Sequence, residues 1–92
     1  MPVDPSRRVA DIAALTAALA ALDPEGLVAC GCPADEYGPE AAALAEAVAD
    51  GHSLTGPEAA ACWADWFGPH CALMADPAAA ARVAGAVNRL SA

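Results

Sequence analysis

The stretch "DGHSL" at residues 50–54 places a serine between His52 and Leu54, just ahead of a helix-opening pattern. A hydroxyl at Ser53, if it stood at the head of that helix, would be a site for covalent modification. Four cysteines form a second chemical group: Cys30 and Cys32 flank one glycine, Cys62 lies in an aromatic segment, and Cys71 follows His70. Four thiols could bind zinc tetrahedrally. The Cys-x-Cys gap is shorter than the usual two to four residues, however, and Cys62 has no partner within a helical turn. The same thiols read equally as small apolar side chains. The adjacent His70 and Cys71 would point apart, which argues against a nucleophile and base. A third group is acidic. Glu25, Asp35, Glu36 and Glu40 could form an edge that meets a basic protein surface, and Trp63, if it were exposed, would be an anchor for such a partner.

The elements that must position these groups are all helical. Asp4-Pro5 reads as a helix start, followed by Val9, Ile12, Leu15, Leu19 and Leu22 at helical spacing, with Asp23-Pro24 as the stop. Residues 23–33 carry two prolines and two glycines and predict a structured loop, with room for an extended segment at 27–30. Tyr37, Ala41, Leu44 and Val48 then mark one face of a second helix that starts between Asp35 and Pro39 and ends at Gly51. Thr55 and Glu58 form a capping box for a third helix, which carries Trp63, Trp66 and Phe67 on one side and closes at Gly68-Pro69. Asp76-Pro77 opens a fourth, with Ala80, Val83, Val87 and Leu90 in register. Gly85 inside it would permit a neighbour to approach. The expectation is one all-α domain over residues 1–92, a small four-helix bundle with no strands.

Composition bounds the function. Hydrophobic residues make up 58% of the chain, but many are alanines, so the core is thin and the stability margin modest. A partner or a second copy, as in a homodimer, would add to that margin. Four basic against twelve acidic residues give a net charge of −8. No basic stripe exists to neutralise phosphates, which argues against nucleic acid and against an anionic membrane surface. No apolar run reaches the length of a membrane span. The N-terminal segment is interrupted by Asp4 and Asp11 and reads as a mature helix rather than a signal peptide. The expected setting is the cytoplasm, with reduced thiols and no cofactor.

Two resemblances sharpen these expectations. "GHSL", with Phe67-Gly68 fourteen residues beyond Ser53, resembles peptidyl and acyl carrier proteins, in which such a serine carries phosphopantetheine at the head of a long helix. Here Thr55-Gly56-Pro57 intervenes. Pro57 disfavours helical geometry before it, so the helix starts after Thr55 and leaves Ser53 in the preceding turn. "LDPEGL" at 22–27, "PADEYGPEA" at 33–41 and "WADWFG" at 63–68 together resemble the small YugE-like bacterial proteins. That resemblance implies a compact helical domain. Small acidic proteins of this kind often serve as immunity or interaction proteins, which makes a non-enzymatic protein–protein contact the leading expectation.

Overall fold

The computed structural model of the chain describes residues 11–33 and 35–91. Its described elements are five helices and no strand: α1 Ile12–Leu22, α2 Gly38–Ala47, α3 Gly56–Phe67, α4 Ala72–Ala75 and α5 Pro77–Leu90. The four long helices form a small bundle, as the sequence led us to expect. α1 packs on α2 and α5, while α3 packs on α5 and, less extensively, on α2. The single turn of α4, absent from the sequence reading, sits against both α3 and α5.

Three of the four long helices, α1, α3 and α5, start where a side chain caps them. Within the described residues α1 is capped by Asp11, whose carboxylate accepts from the Ala14 N–H at 3.0 Å. The expected start at Asp4-Pro5 and the residue Val9 lie outside the described residues. Thr55 and Glu58 form the reciprocal capping box at α3, with Thr55 N–H donating to Glu58 Oε1 at 3.0 Å and Glu58 N–H to Thr55 Oγ1 at 3.2 Å. Asp76 caps α5 through Ala78 N–H. The second helix departs from expectation at its far end: α2 stops at Ala47, and residues 48–51 turn before Gly51 takes a positive φ of 98°.

The core is built from few large side chains. Leu15 and Leu19 of α1, Leu44 of α2, Trp63 of α3, Leu73 of α4, and Val83 and Val87 of α5 are buried together with Tyr37 and Val48. Tyr37, Ala41, Leu44 and Val48 are fully enclosed, so the expected stripe holds along its whole length. Alanines fill the remaining contact surface and let backbones come close. A Cβ on Gly56 would sit 3.5 Å from the Ala81 backbone nitrogen, which places the start of α3 directly on α5. Asn88 locks the chain leading into α3. Its Oδ1 accepts from Leu54 N–H at 2.7 Å and its Nδ2 donates to Leu54 O at 2.9 Å.

Three expectations are corrected. Residues 27–30 are not extended. Cys30 N–H donates to Gly26 O and Cys32 N–H to Leu27 O, so the run winds through successive turns. Gly85 admits no neighbour, since nothing lies within 4 Å of where its Cβ would be. The aromatic residues of α3 do not share one side: Trp63 is enclosed, Phe67 is half-buried and Trp66 is 51% exposed. A step of three residues falls about 60° short of a full helical turn, which carries Trp66 away from the core.

Candidate functional site

The acidic residues divide into inward and outward groups, which the sequence alone did not separate. Asp23 and Glu25 turn inward. Asp23 ends α1 in the left-handed region at φ 46°, an uncommon conformation that aspartate tolerates better than most residues. Its carboxylate accepts from Val28 N–H and Ala29 N–H, both at 3.0 Å, and from the Tyr37 hydroxyl at 2.7 Å. The same hydroxyl accepts from Glu25 N–H at 3.2 Å. Glu25 Oε2 in turn accepts from the Trp63 indole N–H and from Ala72 N–H, both at 2.9 Å. Tyr37 stacks on Trp63 with ring centroids 5.7 Å apart, and Trp63 meets Phe67 at 5.1 Å. One network therefore ties the loop after α1 to α2, α3 and the start of α4.

The titration of this network follows from its contacts. The Tyr37 hydrogen bond, with the N–H groups of Ala29 and Val28, holds the Asp23 carboxyl below its ordinary range. Burial, reinforced by the Asp23 carboxylate, pushes the Tyr37 hydroxyl up to about 12.

This arrangement corrects the expected acidic edge. Glu25 is committed to Trp63 and α4. Asp35 and Glu36 remain exposed, but Glu40 is only 7% exposed in the first turn of α2. Trp63 is fully enclosed and unavailable to a partner. The four carboxylates and Trp63 do not make one binding surface. Glu40 Oε2 is buried without a hydrogen-bond partner, a costly state that its place near a helix N-terminus only partly offsets. Replacing Glu40 with Met keeps the side-chain length and removes the orphaned oxygen. The expected result is a gain of about 1 kcal/mol in unfolding free energy, read from urea titration.

Ser53 lies exposed in the segment before α3, with Leu54 and Thr55 between it and the first helical residue. Leu54 is held by Asn88 and Thr55 by Glu58, so this segment cannot join the helix without breaking both sets of bonds. Next to it, Asp50 accepts from His52 N–H at 3.1 Å and contacts His52 Nδ1 at 2.6 Å. Those bonds hold the Asp50 carboxyl below its ordinary range. The histidine is thus engaged with Asp50. Incubation with coenzyme A and a phosphopantetheinyl transferase is expected to leave the intact mass unchanged. A gain in mass lost in Ser53→Ala would show otherwise.

The cysteines are dispersed in character. Cys30 is exposed, Cys32 and Cys62 are half-buried, Cys71 is buried, and all four are free thiols. Among the described residues no group of three or more His, Cys, Asp or Glu side chains could hold a metal. Burial and the nearby Asp65 carboxylate push the Cys62 thiol up, which keeps it protonated and unreactive.

A surface feature that the sequence reading missed lies between α3, α4 and α5. A groove of about 520 Å³ is lined by Gly56, Pro57, Ala60, Ala64, Leu73 and Met74, among other small and apolar residues. Met74 is half-exposed at its edge. Exposed acids adjoin the lining: Glu58 follows Pro57, Asp65 follows Ala64, and Asp76 precedes Pro77. Hydrogen bonds from Thr55 keep the Glu58 carboxyl below its ordinary range and ionised. The signal for the groove was present in sequence as the run "GPEAAA" facing "ADPAAA", but only packing of α3 on α5 turns two alanine faces into walls.

No protein-family model, no curated protein and no solved structure matches this chain. The likeness to the YugE-like proteins accordingly rests on its three sequence motifs. No described helix is long and apolar enough to cross a membrane.

Proposed function

We propose that this chain is a protein-interaction module rather than an enzyme, and that its binding face is the groove between α3, α4 and α5. The observation that carries the reading is an apolar groove of about 520 Å³ whose lining residues Pro57, Ala64 and Pro77 are each next in sequence to an exposed acid, Glu58, Asp65 and Asp76, in a chain of net charge −8. Its walls are mostly alanine, glycine and proline, so a partner's backbone can come close, and Met74 adds an adaptable apolar contact. Acids at the border favour a partner segment that is apolar along one side and basic at its flanks. An immunity-type or inhibitor role, in which the module covers a basic surface of another protein, is the concrete form of this reading. It invokes no cofactor, nucleic acid or membrane, and it fits a cytoplasmic protein. The acidic edge anticipated from Glu25, Asp35, Glu36 and Glu40 is set aside because two of its members face inward.

The test is calorimetric titration with a synthetic amphipathic helix of leucine, alanine and lysine. Binding is expected, weakening as salt rises. Met74→Glu, which places a charge at the apolar edge while leaving the buried core intact, should weaken it about ten-fold. Equal binding by the wild type and Met74→Glu would refute the groove as the contact face.

A further inference from the structure

The basic residues of the described chain are confined to one place. Arg82 and Arg89 both stand exposed on α5, two helical turns and roughly 10 Å apart on one face. Neither is joined to a carboxylate among the described residues. Gly85 lies between them with open space above it. The three residues border a second groove, of about 510 Å³, along Ala18, Ala21 and Leu22 of α1. In a chain with three times as many acids as bases, two unpaired arginines on either side of a glycine form a ridge suited to paired carboxylates.

The chain itself carries the matching ridge. On α3, Glu58, Ala61 and Asp65 repeat the same spacing of three and then four residues, acid–small–acid against base–glycine–base. No other described helix offers this: α1 and α5 contain no acidic residue, and of the two in α2 Glu40 is buried. Ala61 also lines the apolar groove. Small residues at the crossing point let two helix axes approach closely, and both ridges then set their charges one turn to either side. Glu58 keeps its capping bonds to Thr55 while half its side chain faces solvent.

We propose that the basic partner of the α3–α4–α5 groove is a second copy of this chain, whose Arg82–Gly85–Arg89 ridge crosses Glu58–Ala61–Asp65. The proposal rests on the groove being the binding face and names what fills it. Because the two ridges are different patches, the contact is head to tail, and further copies add in sequence or close a ring. Exposed ion pairs are individually weak, so the association appears as protein concentration rises. Long-range repulsion between chains of net charge −8 is screened beyond roughly 8 Å at physiological salt, which leaves contact pairs to act.

Sedimentation velocity over a rising concentration series tests this with the full chain. The wild type is expected to grow in mean mass. Arg82→Glu with Arg89→Glu should lower the association constant about ten-fold or more. Gly85→Gln, which favours the helix but fills the crossing point, should do the same without loss of fold. Mixing Arg82→Gln/Arg89→Gln with Glu58→Gln/Asp65→Asn, neither of which should associate alone, should restore association and stop it at a pair. Only the acidic ridge of the first and the basic ridge of the second then remain complementary. A wild type that stays monomeric, yet still binds the leucine–alanine–lysine helix, overturns the second-copy assignment and leaves the groove standing. Failure of both overturns both. Self-association unchanged in R82E/R89E and G85Q also overturns it, since another surface would then be responsible.

Discussion

Trp63→Ala is expected to destabilise the chain by about 3–5 kcal/mol, a large share of the roughly 5–15 kcal/mol that a folded domain holds. Trp63 is the largest fully buried side chain, and it joins the outer helices to the loop after α1. Its removal leaves a cavity between Tyr37 and Phe67 that the surrounding alanines are too short to fill. It also strips one donor from Glu25 Oε2, which then keeps only Ala72 N–H. Trp63→Phe separates the two losses. It retains most of the apolar contact but not the indole N–H, and should cost about 1–3 kcal/mol. Urea unfolding monitored by circular dichroism gives both numbers. If Trp63→Ala stayed within about 1 kcal/mol of the wild type, Trp63 would not be the centre of the core.

Tyr37→Phe has the next largest expected effect, and a single oxygen is responsible. That hydroxyl donates to Asp23 and accepts from Glu25 N–H. Its loss takes one of three donors from the carboxylate, which keeps Val28 and Ala29 N–H, and leaves the Glu25 N–H without its acceptor. A cost of about 1.5–3 kcal/mol follows. The pH dependence has a definite sign at each end. The Tyr37 hydroxyl is raised to about 12 in the fold against about 10 in an unfolded chain. Its contribution is complete below pH about 10 and disappears as pH rises toward 12. Tyr37 is the only tyrosine, so phenolate absorbance reports it alone. Tyr37→Phe should abolish this alkaline loss. At the acid end, Asp23 is depressed, so its contribution is present above the ordinary aspartate range near 4 and is lost as pH falls through the folded value. Phenolate forming near pH 10 with the fold intact would show that the Tyr37–Asp23 bond is absent.

The helices were legible because their signals are local. Thr55 with Glu58, Asp76 with Pro77, and the spacing of Tyr37, Ala41, Leu44 and Val48 each act within a few residues, and each operates in the structure. What escaped the sequence depends on residues far apart along the chain. Glu25 looked like a surface acid because nothing nearby reveals that Trp63 and Ala72, both dozens of positions away, would donate to it. Asn88 gave no sign that it would clamp Leu54. The turn of α4 was missed because "ALMA" is too short to show a period, and its N-terminus is satisfied by Glu25 rather than by a local cap. The groove escaped for a related reason. Alanine faces carry little hydrophobic signal, and they become a binding surface only when α3 and α5 are set side by side.

The binding face can be located directly by methyl NMR during titration with the leucine–alanine–lysine helix. The methyls of Met74, Ala60, Ala61, Ala64 and Ala80 should shift together and saturably, while those of Ala13 and Ala17 on the exposed side of α1 stay in place. Shifts gathered instead around Asp35 and Glu36, or spread evenly over the molecule, would contradict the assignment of the groove as the surface through which this chain meets other proteins.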